Sequence, residues 1–378
     1  MRRLLAAAIV ALAALILPSR HRDWGRAMIA ELGTIERPGA ALAFALGCLA
    51  GALRQAPSLH PLQSDREGLS AMDQQSRNPR RLAALCAIGA TGLGLFYLAA
   101  AGAPLSSLAV NAAALAIGLL AVGVAAEAGK LWRIGGGAVA VALACPILLT
   151  ALFGISAGGV TRWLSAGGIL VQPGLVLVPV IALGFARSRG AGPLLAVLIA
   201  ALALALQPDR AMAGALAAAM AALALARPER TALVALGAAL AAFAATLARA
   251  DASPAMPFVD QVLYSSFGVH PLAGLAVLAG AALMLVPAIA GCVRDPDNRP
   301  SYAVFGAVWL AVILAAALGN YPTPLVGYGG SAILGYLLSL LGLPARPAIL
   351  SVGSGGAATQ SVAEEPQPKL RAGLTLVG

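Results

Sequence analysis

In a chain that is 60% hydrophobic and only 11% charged, the few ionisable side chains are the first place to look for chemistry. Such groups are expensive to hold in or beside an apolar phase, so they tend to mark function. Between residues 82 and 345 there are seven acids: Glu127, Asp209, Glu229, Asp251, Asp260, Asp295 and Asp297. Glu127, Glu229, Asp295 and Asp297 stand beside basic residues in short connecting segments and read as local charge pairs. Asp209, Asp251 and Asp260 remain, with Arg162, Arg210 and Arg249 nearby in the pattern. An arginine fork grips phosphate or diphosphate with two parallel N–H bonds and tolerates partial desolvation. A carboxylate at a low-dielectric surface becomes basic enough to serve as a general base. Together these groups suit transfer chemistry on an amphiphile that carries phosphate. Asp209 and Arg210 also have a plainer reading, since "QPDR" puts them at the first turn of a helix, where an aspartate caps.

Three local stretches share one design. They are "TRWLSAGGILVQPG" (Thr161 to Gly174), "QPDRAMAG" (Gln207 to Gly214) and "NYPTPLVGYGGS" (Asn320 to Ser331). Each precedes an apolar run and combines a proline with amides, glycines or arginine. A broken helix start of this kind leaves N–H groups free to meet a ligand. The candidate binding residues are Arg162, Trp163, Gln172, Gln207, Asp209, Arg210, Tyr328, Gly329, Gly330 and Ser331. Tyr328 and Ser331 either turn polar tips into a cavity or line a tight seam between helices. There is no P-loop, no HExxH and no GxSxG. His21, His60 and His270 are far apart, so no metal site is expected. No cofactor is expected either, and participation of a divalent cation is left open. Cys48, Cys86, Cys145 and Cys292 lie in or beside apolar runs without metal spacing and read as packing residues, not as a disulfide.

The elements that must position these residues are membrane helices. A soluble domain carries about 25% charged residues, and here the apolar residues come in runs of about 20, the length of a bilayer-spanning helix. Alternating barrel strands are absent. The expected fold is therefore an all-α polytopic membrane protein. Ten spans are expected near 82–102, 105–126, 134–154, 167–186, 191–207, 210–226, 231–248, 270–291, 302–319 and 324–343. Loop charges support the count. With Arg77, Arg80 and Arg81 inside, alternation puts Lys130, Arg133, Arg187, Arg189, Arg227, Arg230, Arg294, Arg299, Arg346, Lys369 and Arg371 inside too. Only Arg162, Arg210 and Arg249 fall outside, so both ends of the ten-helix unit are expected in the cytoplasm. The net charge of +10 thus reflects orientation in a membrane, not a nucleic-acid partner. Residues 1–55 contain two short apolar runs around an amphipathic stretch at 22–33, and an interfacial placement is favoured over a membrane hairpin. Residues 56–81 read as a polar linker and 346–378 as a disordered cytoplasmic tail.

With the spans in place, the three stretches resemble those of the SEDS family (shape, elongation, division and sporulation), the RodA/FtsW-like peptidoglycan glycosyltransferases. That family has ten transmembrane helices with cytoplasmic ends. It carries a "G-x-R-W…QPSE" segment before the fourth helix, "QPDxGT" at the sixth and "PxPFxSYGGSS" at the last. "TRWLSAGGILVQPG", "QPDRAMAG" and "PTPLVGYGGSA" occur here in the same order, each at the matching helix. The likeness covers roughly residues 82–345 and leaves 1–81 aside. It implies a multi-pass protein of the bacterial inner membrane that polymerises lipid II in concert with a class B penicillin-binding protein. It also implies Asp260, within "PFVDQVLYSSFGVHPLAG", as the catalytic base. Asp260 would take a proton from the acceptor sugar hydroxyl, that oxygen would attack the donor's anomeric carbon, and undecaprenyl diphosphate would leave, steadied by Arg162 and Arg210. Several positions depart from the family pattern. The His-Thr before the aspartate is Phe258-Val259, the acid of "QPSE" is Gly174, the helix-four lysine is Val178, and "SYGGS" begins with Gly327. A non-catalytic scaffold that binds the lipid carrier, or a transporter of lipid-linked precursors, are the alternative functions.

Overall fold

The computed structural model describes residues 6–7, 9–10, 13–14, 22–35, 37–55, 78–127, 137–157, 159–167, 169–249 and 254–344. Most of the linker, the 346–378 tail, Asp251 and the basic residues Arg77, Lys130, Arg133, Arg346, Lys369 and Arg371 lie outside these residues.

Near the N-terminus, the amphipathic stretch forms α1 (Arg22–Thr34) and the second short apolar run forms α2 (Pro38–Gln55). Ala41, Ala45, Cys48 and Ala52 recur at helical spacing and form one face of α2. They are buried in a cluster with Ala6, Val10 and Ala13, flanked by Met28 and Leu32 of α1.

Every one of the ten apolar runs contains a helix. These are α3 (Pro79–Ala100), α4 (Leu105–Glu127), α5 (Gly137–Phe153), α6 (Pro173–Arg187), α7 (Ala191–Leu206), α8 (Arg210–Ala226) and α9 (Arg230–Leu247). After a short α10 (Val262–Val269) come α11 (Pro271–Arg294), α12 (Arg299–Leu318) and α13 (Gly330–Ser339). Among the described residues five segments are long and apolar enough to cross a membrane: α3, α4, α9, α11, and α12 with the turn before it. The other five are apolar helices of 10–17 residues, so ten full-length crossings are not what the helix lengths show.

At two of these five helices the shortening has a local cause. The fourth span, expected from 167, begins at Pro173, because residues 155–171 form strands β1 (Ile155–Ala157), β2 (Val160–Ala166) and β3 (Ile169–Val171). They pair as two antiparallel hairpins, with Ser156 opposite Thr161 and Ser165 opposite Leu170. The fold is therefore not purely helical. The chain spells Ser-Ala-Gly-Gly twice, at 156–159 and 165–168, and each copy falls where one antiparallel strand gives way to the next. Gly159 and Gly167 adopt φ of 81° and 59° there, a conformation that glycine reaches without steric cost. Likewise the last span, expected from 324, begins at Gly330. Residues 320–329 form an irregular turn instead, which is tolerated only where protein satisfies its backbone groups.

The core is built around α6. Eleven of its 15 residues are buried, and it packs on α5, α7, α8, α12 and α13, as a helix apolar on all faces should. On α13, Tyr336 is fully buried between Phe305 and Trp309 of α12, with ring centroids 5.3 and 5.1 Å away. Its hydroxyl donates to the Met284 carbonyl of α11 at 3.0 Å. At one end of the bundle, Arg80 donates to the carbonyls of Leu343 and Leu341 at 3.0 and 2.9 Å. Arg187 approaches the same Leu341 carbonyl at 3.4 Å. Two cations thus hold the last carbonyls of the final helix, where the helix dipole favours positive charge. That clamp fixes α13, and with it the 320–329 turn at the opposite end.

Candidate functional site

The three stretches, which span residues 161–331 of the chain, meet at that opposite end. Arg162 lies on β2 and is 3% exposed, and Asp209 is 0% exposed. The Arg162 guanidinium donates from Nη2 to the Pro208 carbonyl at 3.1 Å and stands 3.9 Å from the Asp209 carboxylate. It also lies over the Tyr321 ring, 5.4 Å from its centroid. A cation in low dielectric gains from each of these partners. Asp209 is the N-cap of α8 and accepts the Met212 N–H at 3.2 Å. Its other oxygen accepts from Gln172 Nε2 at 2.9 Å, while the Gln172 N–H donates to Ser331 Oγ at 3.0 Å. Gln207 is 1% exposed and donates to the Ile147 carbonyl on α5. Thr161 N–H donates to the Gln207 carbonyl at 3.4 Å. Arg162, Gln172, Gln207, Asp209 and Ser331 thus form one buried polar network that ties β2, α6, α8 and α13 together.

Arg210, one residue along, has a different environment. It is part-exposed, and its Nη2 donates to the Arg249 and Thr246 carbonyls at 3.0 and 3.5 Å. Its Nε is buried and has no hydrogen-bond partner among the described residues. Arg210 stands at the polar end of a cavity of about 880 Å³ between α8, α9, α10 and α12. One wall carries Ala211, Gly214, Ala218 and Ala221, spaced along one face of α8. These ten residues of rise make a trough of roughly 15 Å. Phe243 and Leu314 line other walls, and Gln261, Asn320 and Tyr321 join Arg210 at the polar end. An apolar trough with a cation and amides at one end matches an amphiphile with a long hydrocarbon chain and an anionic head.

Asp260 sits beside that polar end. It is partly exposed, and one carboxylate oxygen accepts the Met256 N–H at 2.8 Å. Asp260 is not itself a lining residue of the cavity, whereas the adjacent Gln261 is. Gln261 reaches across to Asn320 Oδ1 at 2.7 Å. The segment before Asp260 pairs with the 320–329 turn. Thr323 N–H donates to Val259 O at 2.9 Å, Tyr328 N–H to Phe258 O at 2.7 Å, and Asp260 and Pro322 form an isolated bridge. Phe258 and Gln261 adopt φ of 65° and 56°, and Leu325 in the facing turn adopts 61°. Such non-glycine conformations cost about 1–3 kcal/mol each and cluster where a site is held in a special shape.

A Cβ on Gly327 would lie 2.9 Å from the Thr323 carbonyl and 3.2 Å from the carbonyls of both Phe258 and Val259. The close approach of Phe258-Val259 thus leaves no room for a side chain at 327. Tyr328, Gly329 and Gly330 are half-buried at the end of the same turn, and Trp163 is half-buried on β2 opposite Ile155. Tyr328 packs at the edge of a second apolar cluster built on Tyr97, Val262 and Val326.

Sequence reasoning missed Asn111 of α4. It is fully buried. Its Nδ2 donates to Gly327 O at 2.9 Å and its Oδ1 accepts the Gly329 N–H at 3.0 Å. The available signal was a lone amide inside an otherwise apolar span, "LAVNAAALAIG". The helix α10, within a segment expected to be loop, was missed too. Among the described residues no cluster of three or more potential metal ligands occurs.

No protein-family model and no curated protein matches the sequence. Among solved structures, the chain is similar to the rod shape determining protein RodA of Thermus thermophilus, with a TM-score of 0.50 and 21% identity. That match covers 69% of this chain and 93% of RodA. A point variant of the same RodA gives a TM-score of 0.49 at 20% identity, covering 69% of this chain and 94% of the other. The likeness to RodA establishes the fold: an apolar helical membrane bundle of RodA-like architecture.

Proposed function

We propose that this RodA-like bundle binds an isoprenoid-diphosphate-linked sugar and transfers that sugar, as a SEDS-type glycosyltransferase of the cell envelope acting on lipid II. The observation that carries the reading is the trough between α8 and α12, closed at its polar end by Arg210, whose buried Nε has no partner among the described residues. The hydrocarbon chain lies along Ala211, Gly214 and Ala218, and the diphosphate meets the Arg210 guanidinium. Asp260, next to Gln261 at the cavity mouth, takes the proton from the acceptor hydroxyl as that oxygen forms a bond to the anomeric carbon. The bond from that carbon to diphosphate breaks, and the lipid diphosphate leaves. Arg162, although part of the same region in sequence, supports the reaction by holding Asp209 and Tyr321 in place. In this reading all ten apolar helices cross the bacterial inner membrane, both ends of the bundle are cytoplasmic, and a class B penicillin-binding protein is the partner.

The test is polymerisation of labelled lipid II by purified protein with its cognate penicillin-binding protein. Asp260→Ala should abolish glycan formation while lipid II still binds. Arg210→Ala should weaken lipid II binding about tenfold or more, the loss expected for a charge-assisted bond. Full polymerisation by Asp260→Ala would remove that residue from the chemistry. A second reading, a non-catalytic scaffold for the lipid carrier, is favoured by the Asp260 carboxylate bonding to Met256 N and lying outside the cavity lining. Lipid II binding with no polymerisation by any form of the protein would support it.

A further inference from the structure

We infer that Asn111 on α4 is a positioning residue that sets the turn at 320–329 and, through it, the backbone of the segment carrying Asp260. Its catalytic consequence rests on the transfer reaction proposed above.

The buried residues of α4 form one stripe, Ser107, Asn111, Ala114 and Gly118, and only 17% of its apolar window is buried. Ala114 meets Gly330, and Gly118 meets Leu337, so the stripe lies against α13 and the turn before it. Within this contact, Asn111 is the residue that carries an amide. A buried primary amide in an apolar surrounding is costly unless both its donor and its acceptor are used. Here both are used by backbone of the same turn, two residues apart: Gly327 O accepts from Nδ2 and Gly329 N–H donates to Oδ1.

That pairing holds the turn in a shape it would not choose alone. Gly329 adopts φ of 155° and Leu325 adopts 61°, both poorly populated by ordinary residues. The turn's opposite edge is hydrogen-bonded to the segment before Asp260 through Thr323 N–H to Val259 O and Tyr328 N–H to Phe258 O. The Asp260–Pro322 bridge continues the same ladder. Asn111, the turn and residues 258–260 are thus three consecutive layers, the first joined to the second by the Asn111 side-chain amide and the second to the third by backbone hydrogen bonds. Loss of the amide frees the middle layer and lets the Asp260 segment drift from the cavity mouth. Asn111 itself touches neither the cavity nor the carboxylate in these contacts, so its effect is on placement.

The first experiment does not depend on activity. Hydrogen exchange on the full-length protein in nanodiscs is compared for wild type, Asn111→Leu and Asn111→Thr. Leucine has similar volume and no polar group, and threonine keeps a hydroxyl that serves one of the two backbone groups. Both variants should raise exchange at least tenfold in peptides covering 320–331 and 256–262, with threonine intermediate, while peptides from α11 and α12 keep wild-type protection. Wild-type exchange in 256–262 overturns the inference, as does a change confined to 320–331. General loss of protection in both variants would make Asn111 a folding residue and overturns it too. The second experiment measures lipid II polymerisation. The folded variants should lower kcat tenfold or more with KM within twofold of wild type. A raised KM with unchanged kcat would assign Asn111 to substrate binding and refute a positioning role. Wild-type protein that polymerises nothing would instead count against the proposed reaction, leaving the exchange result to decide the placement of the segment.

Discussion

Asp209 shows how one side chain can carry several structural duties in a place where sequence suggests chemistry. It caps α8, accepts from Gln172 and pairs with Arg162, with no exposed surface. Removing it strands a buried guanidinium and an amide together. Asp209→Ala should therefore lower stability by about 3–5 kcal/mol, the range seen when one partner of a buried ion pair is deleted. Denaturant or thermal unfolding in detergent measures this. Asp209→Asn keeps a good cap and should lose less; an unchanged midpoint for Asp209→Ala would contradict the network. The cost of charge in an apolar chain was enough to single out Arg162, Asp209, Arg210 and Asp260. Which of them face inward depends on atoms 36 or more residues away, and only the packed structure separates Arg162, enclosed by Pro208, Asp209 and Tyr321, from Arg210 at the cavity. Asn111 escaped notice because an uncharged amide in a long apolar run looks like noise until its two partners are known.

At the level of elements, small residues decide how closely helices and turns approach. Gly335 of α13 lies where a Cβ would collide with the Leu175 carbonyl of α6, and carbonyl backbone cannot rotate away as a side chain can. A Cβ on Gly94 of α3 would likewise lie 2.6 Å from the Val326 Cα. Gly335→Ala should cost about 1–3 kcal/mol by overpacking. Gly184→Ala on α6, with no atom within 4 Å of the added Cβ, should be neutral or stabilising, because alanine favours a helix over glycine by about 1 kcal/mol. Unfolding midpoints of the two variants check the contrast, and equal behaviour would refute the close α6–α13 crossing. Each of the ten apolar runs contains a helix. Their starts at Pro173 and Gly330 were displaced from the expected 167 and 324, because hydropathy does not distinguish a buried strand or turn from the first turns of a helix. The repeated Ser-Ala-Gly-Gly was the local signal for the two hairpins.

Across the whole molecule, charge sets orientation and packing sets the site. The end that carries Arg210 and Asp260 is expected outside the cytoplasm. Met256 at this end is 55% exposed. In a cysteine-free background, Met256→Cys should react with an impermeant thiol reagent added to intact cells. Labelling only after the inner membrane is opened would reverse the orientation.

By itself the sequence determined that this is a membrane helical bundle, roughly where its helices run, and which stretches are too polar for plain lipid-facing helices. These are local properties, because burial in a bilayer acts on each run of about 20 residues separately. The tertiary structure alone decided that "TRW…QPG", "QPDR" and "YGGS" converge, that Arg162 is structural support while Arg210 faces a cavity, and that Asn111 stands behind the turn facing Asp260. Those outcomes depend on which helices cross and how closely. That is set by the volumes of residues such as Gly335, Gly94 and Gly327 against backbone far along the chain, and no window of sequence contains both sides of such a contact.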